Sequence, residues 1–290
     1  MQLFVDNLTV IDCSLLTSEK GITGESFNVD LILGGNLNDE SMIFDFGLVK
    51  KAIKKIIDDE VDHKLVIPSH NKGLKVNDCG INQQVDFSYA DSKHVFLNSP
   101  KQAFVFMDTD EITKDTIKQY LEEKILKLLP SNITSIELNL HHEVIDGASF
   151  RYSHGLKKHY GNCQRIVHGH RSRIKILHNL ERQAHLEELW CERWENIYLG
   201  TEEDIVALDC VSLSPSALQH INDAYVIFSY IAPQGKFDLA ILKNEVEILP
   251  VDTTIENISD YVANQVAQLH DLDNVKVHAY EGIGKGAISS

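Results

Sequence analysis

The chain has 290 residues, of which 43% are hydrophobic and 24% charged, with a formal net charge of -16; this is the composition of a soluble globular protein long enough for two ordinary domains. So acidic a chain is not a general nucleic-acid binder. No window approaches the length of a membrane span, the N-terminus has no basic segment followed by an apolar run, and Cys13, Cys79, Cys163, Cys191 and Cys210 show no paired spacing, so a cytoplasmic protein without a disulfide framework is expected.

In chain order, residues 1–35 read as a hairpin, with β-formers over Leu3 to Leu16, turn residues over Gly21 to Gly24 and alternation over Phe27 to Leu33. Leu48, Val49, Ala52, Ile53, Ile56 and Ile57 then recur at helical spacing with lysines opposite, in a helix running toward Asp62, His63 and a stop at Pro68. Residues 85–89 (Val-Asp-Phe-Ser-Tyr) recur as 226–230 (Val-Ile-Phe-Ser-Tyr), an offset of 141. At the same offset the segment from Thr113 to Tyr120 matches that from Thr254 to Tyr261, each a helix opened by a threonine N-cap with an acid two positions on. A last strand follows in each, Ser135 to His142 and Asn274 to Glu281. The reading is a tandem duplication of a ββααββ-like unit, as domains 1–146 and 147–290.

The stretch 150–176 carries the most chemistry. His168 and His170, two apart on a strand, share a face, and His154 would come from the strand paired with it. Three histidines that leave a fourth position open are how a catalytic zinc is held. Cys163 lies in the intervening loop, where a metal and nearby cations would favour a reactive thiolate. The same stretch holds Arg151, Lys157, Lys158, Arg165, Arg171, Arg173 and Lys175 and no acid, which suits a polyanionic ligand. A lone His-x-His also occurs on strand surfaces for no metal reason.

The two copies diverge in a complementary way. Thr23 and Glu25 align with His168 and His170, and Cys13 aligns roughly with His154, so the first copy lacks the metal ligands. Asp62-His63 aligns with Trp194-Glu195. Glu281 is in phase with the inward Val277 and Ala279, where the first copy has His142 and, one position off, Glu143. Asp62-His63 also suits a charge pair at a helix end, Glu281 a solvated strand end, and Thr254 a simple helix cap. Trp190 and Trp194 read as packing, and Cys13, Cys79, Cys191 and Cys210 as small buried residues.

Pooled across the copies, Phe150-x-x-x-His154-x-Leu156, Cys163, His168-Gly-His170, Asp45-Phe46 before a helix, Asp62-His63, Thr254-x-Glu256-Asn257 and a strand ending in Glu281 resemble the 6-pyruvoyltetrahydropterin and 6-carboxytetrahydropterin synthase family. The resemblance implies an α+β fold of two tandem tunnelling-fold units, antiparallel sheets with helices on one face, assembling as a homo-oligomer into a barrel. It implies Zn2+ on His154, His168 and His170, Cys163 as catalytic base with Asp62 and His63 as its acid-base partners, and Glu281 as anchor of a pterin ring. Thr254, Lys157, Lys158 and Arg165 would be further substrate contacts, the basic ones to a triphosphate. The implied reaction is a lyase step from 7,8-dihydroneopterin triphosphate to 6-carboxytetrahydropterin, acetaldehyde and triphosphate, toward deazapurine nucleosides such as queuosine. Triphosphate elimination to 6-pyruvoyltetrahydropterin, a non-catalytic pterin-binding protein and a zinc hydrolase using Glu281 are the alternatives. Neither copy holds the full motif set, so the site would be a composite of both.

Overall fold

The long hairpin of β1 (Gln2–Thr17) and β2 (Gly21–Gly35) turns at Ser18-Glu19-Lys20, where Lys20 N donates to Thr17 Oγ1. The expected turn glycines lie within β2 instead. Gly24 is there because another backbone passes it: a Cβ at Gly24 would stand 2.1 Å from Tyr152 O. The computed structural model describes residues 1–90 and 92–290.

After the hairpin come α1 (Phe46–Glu60), capped by the Asp45 side chain, then β3 (Leu65–Pro68), β4 (Leu74–Cys79), β5 (Asn82–Tyr89), β6 (Lys93–Pro100), β7 (Phe104–Met107), α2 (Lys114–Leu126) and β8 (Ile133–His141). Beyond residue 149 follow β9 (Phe150–His154), β10 (His168–Ser172), β11 (Ile174–His178), β12 (Glu181–Arg182), α3 (Ala184–Arg193) and β13 (Ile197–Thr201). The chain ends through α4 (Pro215–His220), β14 (Tyr225–Ala232), β15 (Gly235–Leu242), β16 (Val246–Leu249), α5 (Ile255–His270), β17 (Val275–Tyr280) and β18 (Gly286–Ser289).

One sheet runs β7-β3-β1-β2-β8; the later strands run β16-β13-β9-β10 and, past a break at Arg173, β11-β17 with β12 and β18 on the flanks. With β10 and β11 taken together as the counterpart of β2, the orders correspond, and β12 and β18 have no counterpart in the first sheet. The fold is mixed α+β, and antiparallel ladders form its centre. The sheets are not purely antiparallel, however, because β1-β3, β3-β7, β9-β13 and β13-β16 are parallel pairs, each closed by a connection long enough to cross over. The β5-β6 and β14-β15 hairpins share one further sheet, in which Asn98 faces Asp238 and Leu97 faces Leu239. At the offset of 141, Leu97 corresponds to Asp238 and Asn98 to Leu239, so an approximate two-fold passes between the paired strands.

The helical faces read from spacing bury as expected. Val49, Ile53 and Ile57 of α1 and Ile117, Leu121 and Ile125 of α2 pack on Val29, Leu31, Leu138 and Leu140. On the other sheet Leu186, Trp190 and Trp194 with Ile258, Val262 and Val266 cover Ile174, Ile176 and Val277. Each buried aliphatic side chain contributes about 1.5–3 kcal/mol of transfer free energy. Cys13 and Cys191 are buried, but Cys79 and Cys210 are exposed, one beside the tight turn after β4 and the other in a short 3-10 turn. Among the described residues no helix is long and apolar enough to cross a membrane.

What positions the site is the crossing of the two hairpins. Ser14 Oγ and Ser153 Oγ meet at 2.7 Å, and a Cβ at Gly169 would lie 2.6 Å from Gly24 Cα. Only glycine at both positions lets the backbones approach this closely.

Candidate functional site

Strands β9 and β10 pair His154 with His168, and alternation turns His170 to the same side. All three side chains are fully buried. His154 Nδ1 donates to Thr253 O at 3.0 Å, His168 Nδ1 donates to Arg165 O at 3.1 Å, and His170 Nδ1 lies 3.2 Å from Asp12 Oδ1. With a proton held on Nδ1 of His154 and His168, their Nε2 atoms carry lone pairs inward; His170 Nδ1 has Asp12 at ion-pair distance without a formed hydrogen bond, and its Nε2 lies on the same side. His154 Nε2 and His170 Nε2 are 3.3 Å apart, and His168 Nε2 is buried without a protein partner. Burial and then the neighbouring imidazoles hold His154 and His168 well below the usual histidine pKa, so both stay neutral, as a metal ligand must. Two ligands of a tetrahedral ion with bonds of ~2.0–2.1 Å stand roughly 3.4 Å apart. The donor set, the orphaned Nε2 and the outer partners all fit a metal.

The N-terminal half reaches the same place. After α1 the chain turns at His63, whose φ of 55° is in the left-handed region and whose N donates to Asp12 O at 2.7 Å. Asp62 Oδ1 accepts from Asp12 N at 2.8 Å, and Asp62 Oδ2 is 2.5 Å from His63 Nδ1. The His63 ring centre is 5.1 Å from that of His168 and 6.4 Å from that of His170. Cys163, in the 3-10 turn Gly161–Gln164, completes the group: the ligating atoms of His63, Cys163 and His168 lie within 4.8 Å of one another. Burial disfavours a charged His63, but hydrogen bonds with Asp62 and Cys163 outweigh it and push its pKa up to about 10. A non-glycine residue in this strained conformation, held by three contacts, is typical of a functional position.

Glu281 is half-buried just after β17, its Oε2 3.8 Å from Lys285 Nζ, which in turn is 3.5 Å from Asp12 Oδ2. Thr254 caps α5, while its buried neighbour Thr253 is the one that touches His154. Arg165 is buried, and its guanidinium donates to the carbonyls of Asp62 and His63 at 3.2 Å each. Lys157 pairs with Asp204 at 2.5 Å and Glu203 at 3.2 Å, and Lys158 with Asp252 at 2.9 Å and Glu203 at 3.2 Å. Arg173 pairs with Glu143 at 3.0 Å. The basic stretch is therefore largely compensated by acids from elsewhere in the chain.

Asp12, Thr253, Ser26 and Lys285 are the members of this network that sequence reasoning missed. An available signal was Asp12 itself, a lone charge inside the β-forming run Val10 to Leu16. Burial works against its ionisation, yet His170, Lys285 and Ser26 hold its carboxyl well below the usual carboxylate range.

At the corresponding place in the first half, β1 and β2 pair Leu15 with Thr23 and Cys13 with Glu25, where β9 and β10 pair His154 with His168 and Tyr152 with His170. Leu15, not Cys13, thus stands where His154 does; Cys13 matches Tyr152. His142 matches Glu281, because Val29 faces Leu140 as Ile174 faces Ala279. Glu25 there accepts from Arg151 Nε at 2.6 Å and sits 2.8 Å from His142 Nε2, and Arg151 also reaches Glu195 at 3.4 Å.

No family model matches the chain. A protein of Pyrococcus horikoshii named "Putative 6-carboxy-5,6,7,8-tetrahydropterin synthase" is 25% identical over 121 residues, 42% of this chain and 68% of the relative. A protein of the same name from Methanocaldococcus jannaschii is 27% identical over 137 residues, 45% of this chain and 79% of the relative. The chain is similar to tetrahydropterin synthases, as its motifs suggested. Among solved structures, 6-pyruvoyl tetrahydropterin synthase from Plasmodium vivax shows 19% identity and a TM-score of 0.40, covering 48% of this chain and 90% of that one.

Proposed function

We propose that the chain is a tandem tunnelling-fold lyase of the 6-carboxytetrahydropterin synthase type, with one composite site per chain, acting on 7,8-dihydroneopterin triphosphate in the deazapurine (queuosine) route. The observation that carries this reading is the convergence of His154, His168, His170 and Cys163 from residues 147–290 with Asp62 and His63 from residues 1–146. The two-unit division is supported by the matching strand orders and by relatives that each align with less than half of this chain. Assembly of several chains into a barrel is part of the same reading.

A zinc bound at the three histidines would supply Lewis acidity toward the hydroxyls of the substrate side chain. Cys163, as a thiolate, takes a proton from the substrate carbon or hydroxyl beside it. His63, held by Asp62, whose hydrogen bond favours its charged form, returns or relays one. Glu281 accepts two hydrogen bonds from the aminopyrimidinone edge of the pterin, whose paired N–H groups match a carboxylate as a guanidinium does. Thr254, at the start of α5, and Arg165, behind the Asp62-His63 backbone, border the bound substrate. Lys157 and Lys158 contact its triphosphate by exchanging partners with Glu203, Asp204 and Asp252.

The test is turnover of dihydroneopterin triphosphate by the zinc-loaded protein, following acetaldehyde and the pterin product together. Equal amounts of acetaldehyde and a carboxypterin are expected. A pyruvoyl product without acetaldehyde would move the reaction to triphosphate elimination at the same residues. No turnover beside stoichiometric zinc would leave a binding protein.

A further inference from the structure

Asp12 touches both halves of the candidate site, by an ion-pair contact on one side and by backbone hydrogen bonds on the other. Its side chain lies 3.2 Å from His170 Nδ1, while its backbone N donates to Asp62 Oδ1 and its backbone O accepts from His63 N. It is 3% exposed, and its carboxylate is itself fixed by a 2.5 Å bond from Ser26 Oγ, by Lys285 Nζ at 3.5 Å, and by Gly282, which has no room for a Cβ. Asp12 belongs to β1 and His170 to β10, so this contact crosses between the halves.

We propose that Asp12 is a positioning residue that fixes His170 as a metal ligand and sets the Asp62-His63 turn against it, so that the metal site of the second half is completed by the first. A carboxylate behind Nδ1 keeps the proton there, orients the ring and makes Nε2 the better donor. The same residue's peptide group anchors the acid-base pair, so metal and pair are registered through one rigid strand position rather than through two independent loops. The related contact sharpens the point. By strand register Arg151 matches Asp12 and Glu25 matches His170, and these two also meet across the halves, at 2.6 Å, with the charges reversed. A guanidinium there would repel an imidazole N–H. Cross-half geometry is kept on both sides, and polarity suited to a metal ligand on one.

This inference rests on reading the three histidines as a metal site, and the experiment separates the two. Zinc affinity of the full chain is measured by competition with a chromophoric chelator for wild type, Asp12→Asn, Asp12→Ala and Arg151→Ala, beside thermal unfolding of each metal-free form. Asp12→Ala is expected to weaken zinc binding about 10- to 100-fold, the range for outer partners of a ligating histidine. Asp12→Asn, which keeps the shape and an acceptor oxygen, is expected to weaken it less, and Arg151→Ala to leave it unchanged. Should Asp12→Ala fail to fold, the Asn variant against wild type decides. Wild-type protein that takes up no zinc would overturn the metal reading. Zinc bound by wild type and, within twofold, by both Asp12 variants would overturn the positioning role alone, as would a lowered unfolding temperature with zinc affinity intact.

Discussion

Asp12 beside His170 and Arg151 beside Glu25 are one contact made twice, once on each side of the approximate two-fold. Around the first, three imidazoles bring their ligating nitrogens within 4.8 Å of one another; around the second, Leu15, Thr23 and Glu25 stand in their places and a network of Glu25 with Arg151 and His142 fills the floor. The backbone hardly distinguishes them, since Ser14 with Ser153 and Gly24 with Gly169 hold the hairpins together by contacts that involve no ligand. The difference teaches that the fold and the candidate metal site are separable here. A few side chains decide which face of the crossing offers a candidate metal site, and a buried ion-pair network occupies the other.

The largest effects should come from the side that carries the histidines. His168→Ala is expected to reduce zinc from about one per chain to near none and turnover by on the order of 10³-fold or more, since a metal supplies several kcal/mol of transition-state stabilisation. Its counterpart change, Thr23→Ala, is expected to alter neither, as metal analysis and initial rates would check. His63→Ala should lower turnover by about 10²- to 10⁴-fold while zinc stays bound, as removal of a general acid does. Glu195→Ala, at the matching position, should leave the rate alone. Mixing His63→Ala with Cys163→Ala chains is expected to restore nothing, because both residues of the site come from one chain. Recovered turnover in the mixture would relocate it between chains.

Legibility in the sequence followed the distance over which the physics acts. The His168-x-His170 alternation, the apolar face of α1 and the caps at Thr113 and Thr254 were readable because each depends on neighbours within one strand or turn. The match of Cys13 to His154 was off by two because residues 155–167 form a loop where residues 18–20 form a tight turn, and only the ladder fixes which residues face each other. The parallel pairs with β3 and β13 were hidden for the same reason. Lys157 and Lys158 looked unopposed, but their partners Glu203, Asp204 and Asp252 arrive from segments far along the chain. Asp12 could not be assigned a role at all, since what it does is defined by a strand of the other half.

The smallest predicted effect lies on the side without the three histidines and concerns stability. Burial opposes a charged Glu25, but the hydrogen bonds from His142 and Arg151 prevail and hold its carboxyl below the usual range in the folded protein. A carboxylate lowered on folding adds stability that is fully present above its unfolded value of about 4.3 and is lost as the pH falls through its folded value. Glu25→Gln should therefore lower unfolding free energy at pH 7 by about 2 kcal/mol, the scale of hydrogen bonds to a charged group, with zinc content unchanged. Because the wild-type advantage depends on ionisation of this one group, urea titrations at pH 7, 5 and 3.5 should show the gap between the two proteins steady over the first pair and narrowing at the third. A gap that stays constant to pH 3.5 would mean that Glu25 matters for its shape in the floor of the hairpin crossing rather than for its charge, and the comparison of the two sides would then be one of packing, with Leu15 and Thr23 as the residues that exclude the metal.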